Sequence, residues 1–278
     1  MNGRDNIFYK KRKIGWWRDN WRWMKFGVAG MIFVGLIGVF FGWWRQDAGL
    51  DLNVLAAPIG VREEVPDLPF KTLEKYQGKK LVALTFDDGP NIATTPALLD
   101  LLKQKQVNAT FFVLGIMIDK NPELLLREIR EGHEVGSHTM KHQVLSRMSA
   151  EAIKADSQEM SSKINGILGY DLKLLRPPYG AVNNTVKANF TVPMVTWTVD
   201  TEDWRSKNAV AVRNEVNKAV FDGAIVLMHD IYASTVEAVE GIIDDLRGQG
   251  YELVTVSEMA EVRGTKMAAG EVYGCFRP

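Results

Sequence analysis

Apolar and polar positions change their rhythm twice along this chain. Residues 26–44 (FGVAGMIFVGLIGVFFGWW) are 19 positions without a charge. At about 1.5 Å per helical residue, such a run roughly spans the hydrocarbon core of a bilayer. Residues 45–78 hold no period, and Pro58, Pro66 and Pro69 interrupt them, so they read as a stem. From Lys79 to about Val262, short apolar runs alternate with amphipathic stretches. The runs predict strands near 81–86, 109–114, 133–136, 172–175, 193–197, 224–228 and 252–255. The amphipathic stretches predict helices near 94–105, 122–131, 150–168, 208–221 and 234–248. Asn121-Pro122-Glu123 marks one helix start, a cap-like residue followed by proline at the first helical position. Residues 263–278 are left as a C-terminal tail. The alternation predicts one α/β domain over residues 79–262 with parallel strands. Seven strands rather than eight predict an incomplete (β/α)7 barrel, preceded by a single transmembrane helix.

Charge sharpens the reading of the N-terminus. The chain as a whole is formally neutral. Residues 1–45 nevertheless hold nine Lys/Arg against two acids, and eight of the nine basic residues precede the apolar run. The positive-inside rule then keeps residues 1–25 in the cytoplasm and exports the chain beyond the span. Trp16, Trp17, Trp21, Trp23, Trp43 and Trp44 bracket the run as interfacial aromatics do. A buried core helix is rarely so long or so cleanly flanked. A cleaved signal peptide is the stronger rival, with Leu55-Ala56-Ala57 as its processing site. The length of the apolar run and of the basic region before it favours an uncleaved single-pass anchor in the cell membrane. Beyond residue 45 remain 25 basic and 32 acidic residues, an acidic exported part that argues against nucleic acid as a partner. The single cysteine, Cys275, makes no internal disulfide.

Polar clusters sit just beyond the predicted strands. Asp87 and Asp88 follow the first, within Thr85-Phe86-Asp87-Asp88-Gly89-Pro90. Two adjacent acids at a strand end can divide labour, one binding a metal and the other moving protons. His138 follows the third strand, and His142 would share its direction on a helix. Arg176-Pro177-Pro178-Tyr179-Gly180 follows the fourth, Asp200 and Asp203 the fifth, and His229 the sixth. Taken singly, each has an ordinary explanation: an Asp-Asp-Gly turn, a stiff proline loop, a solvated acidic loop. Taken together they share the strand-end rim where α/β barrels place active residues. His133, in a turn after Glu131-Gly132, is assigned no chemistry.

The ordered segments TFDDGP, SHTMKH, RPPYG, DTEDW and LMHD resemble the polysaccharide deacetylases, the NodB-homology or carbohydrate esterase family 4 enzymes. The resemblance runs over about residues 79–262. The anchored layout is similar to that of bacterial peptidoglycan N-acetylglucosamine deacetylases. The motif resemblance implies a divalent metal, usually zinc, on Asp88, His138 and His142. It implies Asp87 as catalytic base, oriented by Arg176, and a backbone N–H of Tyr179 at the oxyanion. Asp203 would tune His229 as general acid, chosen over Asp200 because it adjoins Trp204. Trp204 and Leu227 would shape the pocket for the acetyl methyl. The implied reaction is hydrolysis of the N-acetyl group of N-acetylglucosamine in peptidoglycan. Chitin oligomers, exopolysaccharide and acetylated xylan are alternative polymers for the same chemistry. A muramic acid deacetylase is disfavoured by the intact Asp87-Asp88-Gly89-Pro90. A non-catalytic glycan-binding protein is disfavoured by the presence of both Asp87 and His229.

Overall fold

The computed structural model describes residues 73–171 and 173–278. The 26–44 run lies outside the described residues. Among the described residues no helix is long and apolar enough to cross a membrane.

Eight strands are present among the described residues: β1 Lys80–Asp87, β2 Thr110–Val113, β3 Glu134–Ser137, β4 Met194–Val195, β5 Val199–Asp200, β6 Ala224–His229, β7 Tyr251–Leu253 and β8 Val272–Tyr273. Nine α-helices accompany them in the same residues: α1 Thr95–Lys105, α2 Gly115–Ile118, α3 Pro122–Arg130, α4 Ala150–Leu168, α5 Asn184–Asn189, α6 Asp203–Ser206, α7 Ala209–Ala219, α8 Ala233–Gly248 and α9 Val256–Val262. The main sheet runs β3-β2-β1-β6-β5, with every pairing parallel. β7 pairs with the first residues of β1 and β2 with the last, so both flank the edge of β1 opposite β6.

β1 lies at the centre because its sequence suits burial on both faces. Alternate side chains point to opposite sides. Val82, Leu84 and Phe86 meet Val226 and Met228 of β6 and the buried residues of α1, α7 and α8. Leu81 and Ala83 face the other way, toward Phe112, Leu174, Val195 and Ile225. Thr85 and Asp87 continue that second row to the C-terminal end of β1, in register beside Leu227 and His229. The helix ends follow ordinary capping chemistry. Ser149 accepts from the Ala152 N–H, Gly169 ends α4 in the left-handed region at φ 78°, and Thr255 and Glu258 form a capping box on α9.

Three expectations are corrected. The predicted strand 172–175 is reduced to single bridges from Leu175 to Ser137 and to Met194, because Pro177 and Pro178 follow at once and donate no N–H. Residues 263–278 are not a tail apart from the fold: β8 pairs with β4, and Phe276 is buried in the cluster of Leu81, Ala83 and Ile225. The end of the predicted stem also belongs to the fold, since Leu73–Tyr76 is a 3-10 turn whose Tyr76 joins that cluster.

Candidate metal and acid–base site

Asp87 is buried at the end of the row formed by Leu81, Ala83 and Thr85, and one guanidinium holds it there. Arg176 Nη1 donates to Asp87 Oδ1 at 2.8 Å and to Thr85 Oγ1 at 2.6 Å. Nη2 donates to the Thr196 carbonyl at 3.1 Å and Nε to that of Val195 at 3.4 Å. The guanidinium carbon lies 4.1 Å from the centre of the Phe112 ring. A fully buried cation needs such saturation, because an unpaired one would carry its whole desolvation cost. Burial pushes the Asp87 carboxyl above the ordinary carboxylate range, against the pull of Arg176, His229 and His142. The result is a stronger proton acceptor than an exposed aspartate.

Asp88, His138 and His142 converge beside it. One donor atom from each lies within 4.8 Å of the others. His138 and His142 do not lie on a helix: the segment is a turn, with Thr139 at φ 73° and His142 at φ 55°. His138 Nδ1 lies 2.7 Å from the Arg176 carbonyl. A carbonyl only accepts, so Nδ1 carries the proton and Nε2 turns its lone pair inward. Burial drives the His138 pKa down to about 3, which keeps the ring neutral as a ligand must be. Asp88 Oδ1 is buried with no hydrogen-bond partner. It lies 3.5 Å from His142 Nε2 and 3.7 Å from His138 Nε2. Ligands about 2.1 Å from a tetrahedral ion are separated by about 3.4 Å, so the three residues fit such a cation. Seven non-glycine residues have positive φ among the described residues, and Asp88, Thr139, His142 and Tyr179 of these surround the site. Conformations of that kind persist where the surroundings over-determine them.

His229 ends β6 directly beside Asp87 in register. Its Nδ1 lies 2.7 Å from Asp203 Oδ1, and its backbone N–H donates to Asp203 Oδ2 at 2.7 Å. Thr235 Oγ1 and the Trp204 N–H also donate to the buried Asp203 carboxylate, at 2.7 and 2.8 Å. Asp200 instead faces solvent and accepts from the Glu202 N–H. Burial opposes charge on His229, but the Asp203 hydrogen bond and charge, with Asp87 and Asp88, outweigh it and hold its pKa at about 9. Asp203→Asn removes the largest of those raising influences. The His229 midpoint in metal-free protein should then fall from about 9 towards or below the ordinary 6.5, read by NMR titration of the imidazole. An unmoved midpoint would mean that Asp203 does not set it.

Around this centre, Tyr179 is 67 % exposed in a left-handed turn, its ring 4.7 Å from that of His142. Trp204 is 49 % exposed at the start of α6, and Leu227 is buried in β6. The structure thus brings together Asp87, Asp88, His138, His142, Arg176, Asp203 and His229. Reasoning from sequence missed Thr85, Thr235 and Asp230. Thr85 and Asp230 lie within the TFDDGP and LMHD segments, the one signal available for them, and nothing in the sequence marks Thr235. His133 is buried, and its Nδ1 accepts from the Ala109 N–H.

The class is thus a parallel α/β fold whose strand-end rim carries an aspartate–histidine pair and a carboxylate–histidine–histidine cluster that could hold a metal ion. A sequence profile described as "Polysaccharide deacetylase" matches residues 74–192. A peptidoglycan-N-acetylglucosamine deacetylase of Listeria monocytogenes is 40% identical over 227 residues, covering 82% of this chain and 47% of that protein. The peptidoglycan-N-acetylmuramic acid deacetylase PdaC of Bacillus subtilis is 41% identical over 215 residues, covering 75% and 45%. The solved structure of PdaC aligns with a TM-score of 0.65 at 42% identity, over 67% of this chain and 93% of that one. A peptidoglycan-N-acetylglucosamine deacetylase of Bacillus cereus is 36% identical over 207 residues, covering 72% of this chain and 97% of that protein. The chain belongs to the polysaccharide deacetylase family. It spans about half the length of the Listeria and Bacillus subtilis relatives it matches.

Proposed function

We propose that this chain is a metal-dependent deacetylase that hydrolyses the N-acetyl group of N-acetylglucosamine in a cell-wall polysaccharide, peptidoglycan first among them. The observation that carries the proposal is the opposed pair at the rim: Asp87 on Arg176 and His229 on Asp203, side by side in register next to the Asp88, His138 and His142 donors.

Asp88, His138 and His142 would hold the cation, with zinc suited to that donor set. Such an ion polarises an amide carbonyl and lowers the pKa of water towards about 7. Asp87 takes the proton of the attacking water. Arg176 keeps the carboxylate aimed, and the backbone N–H of Tyr179 meets the oxygen on which charge develops. One such donor is worth roughly 3–4 kcal/mol in the transition state. The amine leaves badly unless protonated, and His229, held as imidazolium by Asp203, gives up its proton to the nitrogen. Trp204 and Leu227 border the space for the acetyl methyl. The products are acetate and a glucosamine unit.

The parallel sheet is read as an incomplete seven-stranded (β/α) barrel, with Leu175, bridged to Ser137 and Met194, standing for its shortest strand. Residues 26–44 are read as a membrane anchor that places the folded domain outside the cytoplasm. Identity to the relatives named for glucosamine and for muramic acid is 40% and 41%, so similarity does not choose between the two sugars. The relative matched over 97% of its own length is named for glucosamine, which supports the glucosamine reading.

The test is acetate release from purified peptidoglycan, with and without a chelator and added zinc, followed by mass spectrometry of the muropeptides. Metal-dependent loss of one acetyl from the glucosamine is expected. Loss from muramic acid would move the sugar, and release only from chitin oligomers would move the polymer. No release from any acetylated glycan by metal-loaded protein would overturn the proposal.

A further inference from the structure

Asp230 follows His229 and is fully buried. Its Oδ2 accepts from the Thr95 hydroxyl, and its Oδ1 has no hydrogen-bond partner. Thr95 Oγ1 in turn accepts from the backbone N–H of Asn91 at 2.7 Å. The carboxylate also lies flat against Gly89, where any Cβ would overlap both of its oxygens. Gly89, Pro90 and Asn91 are the three residues that follow Asp88. The turn that aims Asp88 is therefore gripped at both ends of Pro90, by Asp230 against Gly89 and by Thr95 on Asn91. The Leu114 N–H, donating to the Gly89 carbonyl at 3.0 Å, adds a third hold.

A buried carboxylate is a costly way to fill the space behind a turn. Burial works against its charge, and the nearby Asp88 and Asp87 carboxylates add repulsion. An apolar side chain of the same size would pack there without that cost. What an apolar residue lacks is the acceptor for Thr95, whose hydroxyl is the only one of these groups that reaches the Asn91 N–H. Asp88 stands at φ 75°, outside the range that a non-glycine residue prefers, and such a backbone is kept only by what surrounds it.

We infer that Asp230 is a positioning residue: through Gly89 and Thr95 it fixes the turn so that the Asp88 carboxylate is aimed before a cation arrives. It also ties that turn to the strand that ends in His229. The cation ligand and the acid are thereby held at a set distance by one buried contact. The inference rests on the proposed metal site.

The test compares zinc affinity, by competition with a chromogenic chelator, for the parent protein, Thr95→Val, Thr95→Ser and Asp230→Ala. The melting temperature of each metal-free protein is measured alongside. Thr95→Val and Asp230→Ala should weaken zinc by about tenfold or more, the effect typical of residues that orient a ligand. Thr95→Ser keeps the hydroxyl and should bind as the parent does. Unchanged zinc affinity in Thr95→Val, even with a lowered metal-free melting temperature, would overturn the inference and leave Thr95 and Asp230 as packing. A parent protein that binds no divalent cation would overturn the metal reading as well, so the two failures are distinct.

Discussion

Asp87→Asn is expected to bind zinc as the parent does and to lose turnover by about 10²–10⁴-fold, the usual worth of a positioned base. The amide oxygen still accepts from Arg176, and the cation donors are on other residues. What is removed is the capacity to take a proton at a buried position where proton affinity is already raised. The substitution also leaves a buried guanidinium without its counter-charge, and breaking such a pair costs about 3–5 kcal/mol. Turnover is therefore compared well below the melting temperature of the variant, with zinc occupancy measured on the same sample. Turnover within a few-fold of the parent would remove Asp87 from the role of base.

His229→Ala should divide substrates by their leaving group. An amide nitrogen must be protonated before it leaves, whereas an activated aryl ester departs as a stable anion. Turnover of an acetamide should fall by about 10²–10⁴-fold, and hydrolysis of the aryl acetate by much less. Measured on one enzyme preparation, the ratio of the two losses cancels differences in folding and metal content. Equal losses would argue against proton donation by His229. The side chain is well prepared for the role: Asp203 meets both its ring and its backbone N–H, and Thr235 fixes the far oxygen of Asp203.

The pattern of apolar positions carried the long elements because their periods are local. Predicted helices at 150–168 and 234–248 match Ala150–Leu168 and Ala233–Gly248 to within a residue. Leu81-Val82-Ala83-Leu84 announced the central strand. Short elements escaped for the opposite reason. β8 is two residues whose pairing partner lies far back in the chain, and nothing in Val272-Tyr273 itself encodes that contact. In the site, residue types and order pointed to Asp88, His138 and His142, which the fold brings together, but not to the backbone that aims them. The four-residue spacing of His138 and His142 gives a shared direction only on a helix; left-handed residues at Thr139 and His142 produce the convergence instead. The roles of Thr85 and Thr235 were illegible because each reads as an ordinary strand or helix residue until its hydroxyl is seen against a buried charge.

Arg176 reaches two reactive centres from one position, its guanidinium on Asp87 and its carbonyl on His138 Nδ1. The residues proposed as base and cation donor thus share one tether. The side-chain half of this link is open to substitution and the main-chain half is not. Replacements at residue 176 can therefore detune the base while the histidine keeps its tautomer, which leaves cation affinity as the more durable property of the pair.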